Sequence, residues 1–193
     1  LDQILSATSR LDLFSIPVIY IIPVTSTDAD MATRKTAVEY CRKSKTGLCI
    51  RIDESHFSDK DLPEYIEKFV KDNELQITNT DIMIDLKIVD KTTTVEAVVE
   101  KLSQIPKIEE WRSIIMSGGS FPADLSGFEK HSHNKIERLD WKLWKKVLEN
   151  TDLKRKPIYS DYTIQHPILK GHVLGANTSA SIRYTDNEDW EIW

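Results

Sequence analysis

Again and again along this chain a short aliphatic or β-rich run stops abruptly in a cluster of polar residues, and this repetition restricts the fold more than any other feature. Ser15-Ile-Pro-Val-Ile-Tyr-Ile-Ile-Pro-Val ends in Thr25-Ser26-Thr27. Leu48-Cys-Ile-Arg-Ile ends in Asp53, and Asp81-Ile-Met-Ile-Asp-Leu-Lys-Ile-Val in Asp90. Trp111-Arg-Ser-Ile-Ile-Met runs into Ser117-Gly-Gly-Ser. A fifth run opens at Pro157 and closes on Ser160-Asp161-Tyr162; a last one, Ser179 to Thr185, closes on Arg183-Tyr184-Thr185. Near-continuous aliphatic runs of this length suit strands covered on both faces.

Between the runs lie segments of helical spacing. In Asp28 to Lys43, Ala32, Ala37, Val38 and Cys41 share one side, and Gly47 follows as a stop signal. Asp59 to Asp72 carries the stripe Leu62, Ile66, Phe69 and Val70. Thr93 to Gln104 turns Val95, Val98, Val99 and Leu102 inward behind a cap from Asp90 or a following Thr. Ile136 to Leu148 has Leu139, Leu143, Trp144 and Val147 at core spacing. Strand and helix alternate at roughly 30 to 45 residues, the signature of βαβ units in a parallel sheet. The fold class is therefore α/β. These runs would make about three-quarters of a (β/α)8, or TIM-type, barrel. The alternative is a doubly wound open sheet, although no G-x-G-x-x-G follows the first strand.

Composition narrows the class. The chain has 193 residues, 40% hydrophobic and 30% charged, which suits a single α/β domain over residues 1–193. It opens Leu-Asp-Gln without Met and stops at Glu-Ile-Trp, mid-pattern, so a fragment at both ends is expected. No apolar run reaches the length of a membrane span, and no signal peptide is visible. The two cysteines, Cys41 and Cys49, match no metal spacing and fit a reducing, cytoplasmic setting. A net charge of -5 argues against nucleic acid as the main partner. The Lys142, Lys145, Lys146, Lys154, Arg155, Lys156 patch reads as a solvated face.

In a parallel barrel the carboxyl ends of the strands converge on one face. The polar residues at those ends are the candidate site. Asp53, Asp85 and Asp161 are the candidate catalytic carboxylates. Arg51, Lys87, Ser117, Gly118, Gly119, Tyr162, Arg183 and Tyr184 are the candidate ligand-binding residues. Carboxylates beside Lys and Arg serve acid–base chemistry or hold an anionic ligand. A structural reading competes: Asp53 as a cap, Asp85 and Lys87 each paired with the other's neighbours on a barrel layer, Arg183 bridging carboxylates inside the sheet. By alternation Arg183 is expected to point into the barrel and to pair with Asp161, Asp85 or Asp53. Ser117-Gly-Gly-Ser120 reads as a tight turn needing positive φ, or as a loop whose backbone cradles an anion. His131 and His133 lie in an apparent solvated loop with no third ligand at motif spacing, so no metal site is expected. No Ser-His-Asp order, nucleophile elbow or P-loop is present, and the sequence names no reaction and no cofactor.

Pro157-Ile-Tyr-Ser-Asp-Tyr with His166-Pro167, and Ile182-Arg-Tyr-Thr with Trp190, resemble the closing elements of the beta family proteins of phage and bacterial genomes. Ile16-Pro-Val-Ile and the strand around Arg51-Ile-Asp53 fit the same pattern, so the resemblance covers most of the chain. It implies a TIM-barrel-like domain with further strands before Leu1 and no established activity. It also implies a role in phage biology or antiphage defence. Two functions follow as expectations: a barrel acting on or binding a small anionic compound at the strand ends, or a non-catalytic interaction or sensor domain with a protein partner.

Overall fold

The computed structural model describes residues 21–26, 28–58, 61–129, 131–168 and 181–193. Its strands are β1 Val24–Ser26, β2 Leu48–Asp53, β3 Thr80–Ile88, β4 Ser113–Gly119, β5 Asn134–Glu137, β6 Ile158–Asp161, β7 Arg183–Asp186 and β8 Asp189–Ile192. Its helices are α1 Met31–Ser44, α2 Leu62–Asp72, α3 Val95–Ser103 and α4 Leu139–Glu149.

Local chemistry sets the helix ends. Asp30 caps α1 by accepting from Thr33 N at 3.0 Å, and Thr94 caps α3 by accepting from Ala97 N at 3.2 Å. Pro63 sits in the first turn of α2, where its missing N–H costs nothing. The periodicity extends the last helix back to Ile136, but the helix begins at Leu139. Ile136 belongs to β5 instead and packs with Phe121, Trp190 and Ile192 in a small second core.

Five strands form one parallel sheet in the order β1-β2-β3-β4-β6. The order follows the sequence without the reversal that a doubly wound sheet requires. Right-handed crossovers then put every helix on the same face. Burial agrees: Leu48, Ile50, Ile52, Ile82, Ile84, Leu86, Ile114 and Met116 share one core with Ala37, Val38, Leu62, Ile66, Phe69, Val98, Leu102, Leu143 and Val147 of the helices. The alternate residues Arg51, Asp53, Met83, Asp85, Ile115 and Ser117 occupy the opposite face. The sheet is thus wound like a barrel wall, although among the described residues it does not close into a barrel.

The expectation for the sixth strand is corrected. Ser181–Tyr184 does not join the parallel sheet; β7 pairs antiparallel with β8, which pairs antiparallel with β5. Asn187-Glu188 is a two-residue hairpin turn, with Asn187 at φ 51 in the left-handed region that Asn tolerates. Of the first predicted run, residues 15–20 lie outside the described residues; in the rest, the strand is β1 Val24–Ser26, which continues into Thr25 and Ser26 rather than ending before them. Cys41 and Cys49 are both free. Among the described residues no helix is long and apolar enough to cross a membrane.

Candidate functional site

Register brings the strand ends together. Asp53 stands opposite Asp85, Asp85 opposite Ser117, and Ser117 opposite Ser160. Residues in register on parallel strands project to the same side, so these side chains form one row on the face opposite the described helices. Arg51 lies two residues before Asp53, on the same face.

Asp85 is the centre of the row and is 0% exposed. It accepts from Arg51 Nε at 2.7 Å and from Arg51 Nη2, and from the Tyr162 hydroxyl at 2.6 Å. Arg51 Nη2 also donates to the Tyr162 oxygen at 2.9 Å, closing a triangle. The other carboxylate oxygen accepts from Lys87 N at 2.9 Å. That last bond depends on a bulge: Lys87 takes φ 54, and the pairing of β3 with β4 shifts register between Asp85 and Ile88. Lys87 forms an ion pair with Asp53, which also accepts from Ser55 N at 3.1 Å.

The titrations follow from this wiring. Burial, and then the hydrogen bond to Asp85, push the Tyr162 phenol well above its ordinary value. Burial works to raise the Asp53 carboxyl, but Lys87 and Ser55 outweigh it and hold the group below its ordinary value. The hydrogen bond to Asp53 raises Lys87.

Asp161 does not join this cluster. It faces a second one, built on the β5–α4 junction and absent from the sequence-based site. Arg138 Nη2 lies 3.5 Å from Asp161 Oδ2 and donates to the Tyr159 oxygen at 3.0 Å. The Tyr159 oxygen is 2.5 Å from Asp140 Oδ2 and 3.0 Å from Asp161 Oδ2, so its single proton is shared between two carboxylates. Ser120 donates to the other oxygen of Asp140. Arg138 is nearly buried, its guanidinium 4.9 Å from the Trp190 ring centre and 5.2 Å from that of Trp141. Burial, and then Asp140, push the Tyr159 phenol up as well. Arg138, Asp140 and Tyr159 left no distinguishing trace in the sequence: Arg138 and Asp140 stand among other charged residues, Glu137 and Lys142, and Tyr159 lies in a separate strand.

The glycine reading is corrected. Gly118 and Gly119 are strand residues of β4, and neither has positive φ. They are glycines because both faces are occupied. A Cβ on Gly118 would meet Val89 Cγ2 at 2.7 Å; one on Gly119 would meet Pro167 Cγ at 2.9 Å and Tyr162 Cβ at 3.2 Å. Close packing at Gly119 therefore helps to hold Tyr162 over Asp85.

Arg183 and Tyr184 lie elsewhere, in the small antiparallel sheet. Arg183 donates to Ser181 Oγ at 2.9 Å and to Ile164 O at 3.3 Å, and sits 5.2 Å from the Phe121 ring centre. It pairs with none of Asp53, Asp85 or Asp161, against expectation. Tyr184 accepts from Trp193 Nε1 at 3.1 Å. His133 pairs with Glu191 and stacks on Trp193, while His131 is exposed. Among the described residues no group of His, Cys, Asp and Glu gathers in a metal-binding arrangement.

The family model described as Beta protein matches residues 1–193, the whole length of the chain. Searches of curated proteins and of solved structures returned no match.

Proposed function

The chain belongs to the Beta protein family, and from that premise we propose that the carboxyl ends of its parallel strands bind a small anionic ligand at Arg51 and Lys87. One observation carries the reading: the cations stand in front of their carboxylates. The Arg51 and Lys87 side chains are 38% and 40% exposed, whereas those of Asp85 and Asp53 are 0% and 13% exposed. The cluster is neutral in sum, yet it turns its positive ends to solvent. Arg51 spends Nε and Nη2 on Asp85 and Tyr162; among the described residues Nη1 has no hydrogen-bond partner, which leaves two N–H donors for a ligand oxygen. A guanidinium pinned from behind by a buried carboxylate is already oriented, so an anion meets it at little entropic cost. The displaced titrations favour binding over proton transfer, because the Tyr162 phenol and the Asp53 carboxyl both move away from neutrality.

Asp53 and Asp85 are on this reading supports for the cations rather than catalytic groups. Ser117 stands in the row beside Asp85, and Gly119 packs against Tyr162, whereas Gly118 turns to the opposite face against Val89. A setting in phage biology or antiphage defence, and a cytoplasmic location, belong to the same proposal and rest on the family resemblance.

The test uses inorganic phosphate as probe, followed by amide chemical shifts at low salt. Saturable shifts at Arg51, Lys87 and their strand neighbours are expected. Arg51→Lys should abolish them while the melting temperature stays within a few degrees, since Lys keeps the charge beside Asp85 but loses the planar fork. Shifts that are absent, or that survive in Arg51→Lys, leave the alternative, a non-catalytic interaction or sensor domain in which the ion pairs are purely structural.

A further inference from the structure

On the other side of the sheet, α1 and α2 leave a groove of about 470 Å³ between them. Two contacts fix its shape: Arg34 Nη1 donates to the Tyr65 hydroxyl at 3.2 Å, and Arg42 Nη2 donates to Asn73 O at 2.9 Å. Both pairs are 31 residues apart, so the helices run parallel in constant register. From Met31 to Arg42 the groove extends about 16 Å along the axis of α1. Its floor is the buried Val38 and Phe69, and Met31 at one end is 80% exposed.

The walls are cationic. Arg34, Lys35, Arg42 and Lys68 line the groove against Glu39 and Asp72, in a chain whose net charge is -5. Three of these cations have a carboxylate within reach: Lys35 with Glu39 at 3.8 Å, Arg42 with Glu74 at 3.5 Å, and Lys68 with Asp72. Exposed pairs of this kind are weak and exchange readily for other carboxylates. Arg34 has no carboxylate partner among the described residues, and its Nε is buried without an acceptor.

We infer that this groove docks an acidic peptide segment of a partner protein, with a carboxylate on Arg34 and an apolar side chain against Met31. Length and charge select this occupant. An extended segment of about five residues spans the groove, whereas a lone phosphate would occupy one end. A second copy of this acidic chain is the competing occupant.

The test is fluorescence anisotropy with a labelled six-residue peptide of glutamate and leucine, beside the same peptide with lysine for glutamate. The glutamate peptide should bind saturably and weaken at high salt, and the lysine peptide should not bind. Arg34→Glu should weaken binding about tenfold or more, and Lys68→Glu, at a separate and exposed position, should weaken it independently. Circular dichroism melts check that both variants fold. Equal binding of the two peptides, no binding into the millimolar range, or affinity unchanged in both variants would overturn the inference. So would sedimentation showing a dimer that Arg34→Glu dissolves, which would assign the groove to a second copy.

Discussion

Asp85→Asn measures how much of the strand-end cluster rests on one buried charge. The substitution keeps the volume and one carbonyl oxygen, so cavity formation is not in play. What changes is the count of acceptors. Asp85 receives Arg51 Nε at 2.7 Å, Arg51 Nη2, the Tyr162 hydroxyl at 2.6 Å and Lys87 N at 2.9 Å, and every one of these is a donor. An asparagine brings an NH2 group that must face some of them, leaving donors against donors. Breaking a buried ion pair from one side costs about 3–5 kcal/mol. Arg51 is 38% exposed and recovers part of its hydration, so the lower end, about 3 kcal/mol, applies. For a chain of this size that corresponds to a melting temperature lower by about 6–12 °C. Tyr162→Phe removes one donor and leaves the ion pair, and should cost about half as much, in line with a single hydrogen bond to a charged group. Thermal melts by circular dichroism and urea midpoints both read the effect. An Asp85→Asn protein melting within about 2 °C of the parent would refute the assignment of Asp85 as the buried centre of the cluster.

Three further outcomes are expected. Gly119→Ala should destabilise by about 1–3 kcal/mol, because the new methyl meets Pro167 and Tyr162 at 2.9 and 3.2 Å; an unchanged urea midpoint would show that these neighbours move freely. Burial, with a smaller push from Asp81, raises the Cys49 thiol to about 12. It should resist a maleimide at pH 8, whereas the half-buried Cys41, raised by burial to a lesser degree, should react first; equal rates in the native protein would contradict this. Asp53 has its folded pKa below the ordinary 3.8, so its contribution is present above that value and is lost as pH falls through the lowered one. The stability difference between the parent and Asp53→Asn should be flat above about pH 5 and shrink below about pH 4; a difference that grows on acidification would reverse the assigned sign.

The strands were readable in the sequence for a local reason. A strand that buries one face against helices must be aliphatic at alternate positions, which leaves the other positions open to polar residues. Leu48–Asp53 and Ile158–Asp161 coincide with β2 and β6, and the row Asp53, Asp85, Ser117 follows from the register of three parallel strands, Asp85 lying buried inside β3 rather than at its end. Arg183 was misplaced because a four-residue run with Arg183 and Asp186 on opposite faces suits either sheet. Its partner was settled by Asn187-Glu188, whose tight turn sends the chain straight back as β8.

Other features had no local signature. Gly118 and Gly119 carry the composition of a turn, and only the neighbours Val89, Pro167 and Tyr162 make them strand glycines. Asp140 and Tyr159 lie 19 residues apart, and Asp85 and Tyr162 77 apart. Pairings at such separations depend on strand order, register and the bulge at Lys87. The pattern of burial along the chain determined the elements and the barrel-like winding. Which charges meet was decided in three dimensions, because a buried charge is tolerated only where distant chain segments deliver its partners.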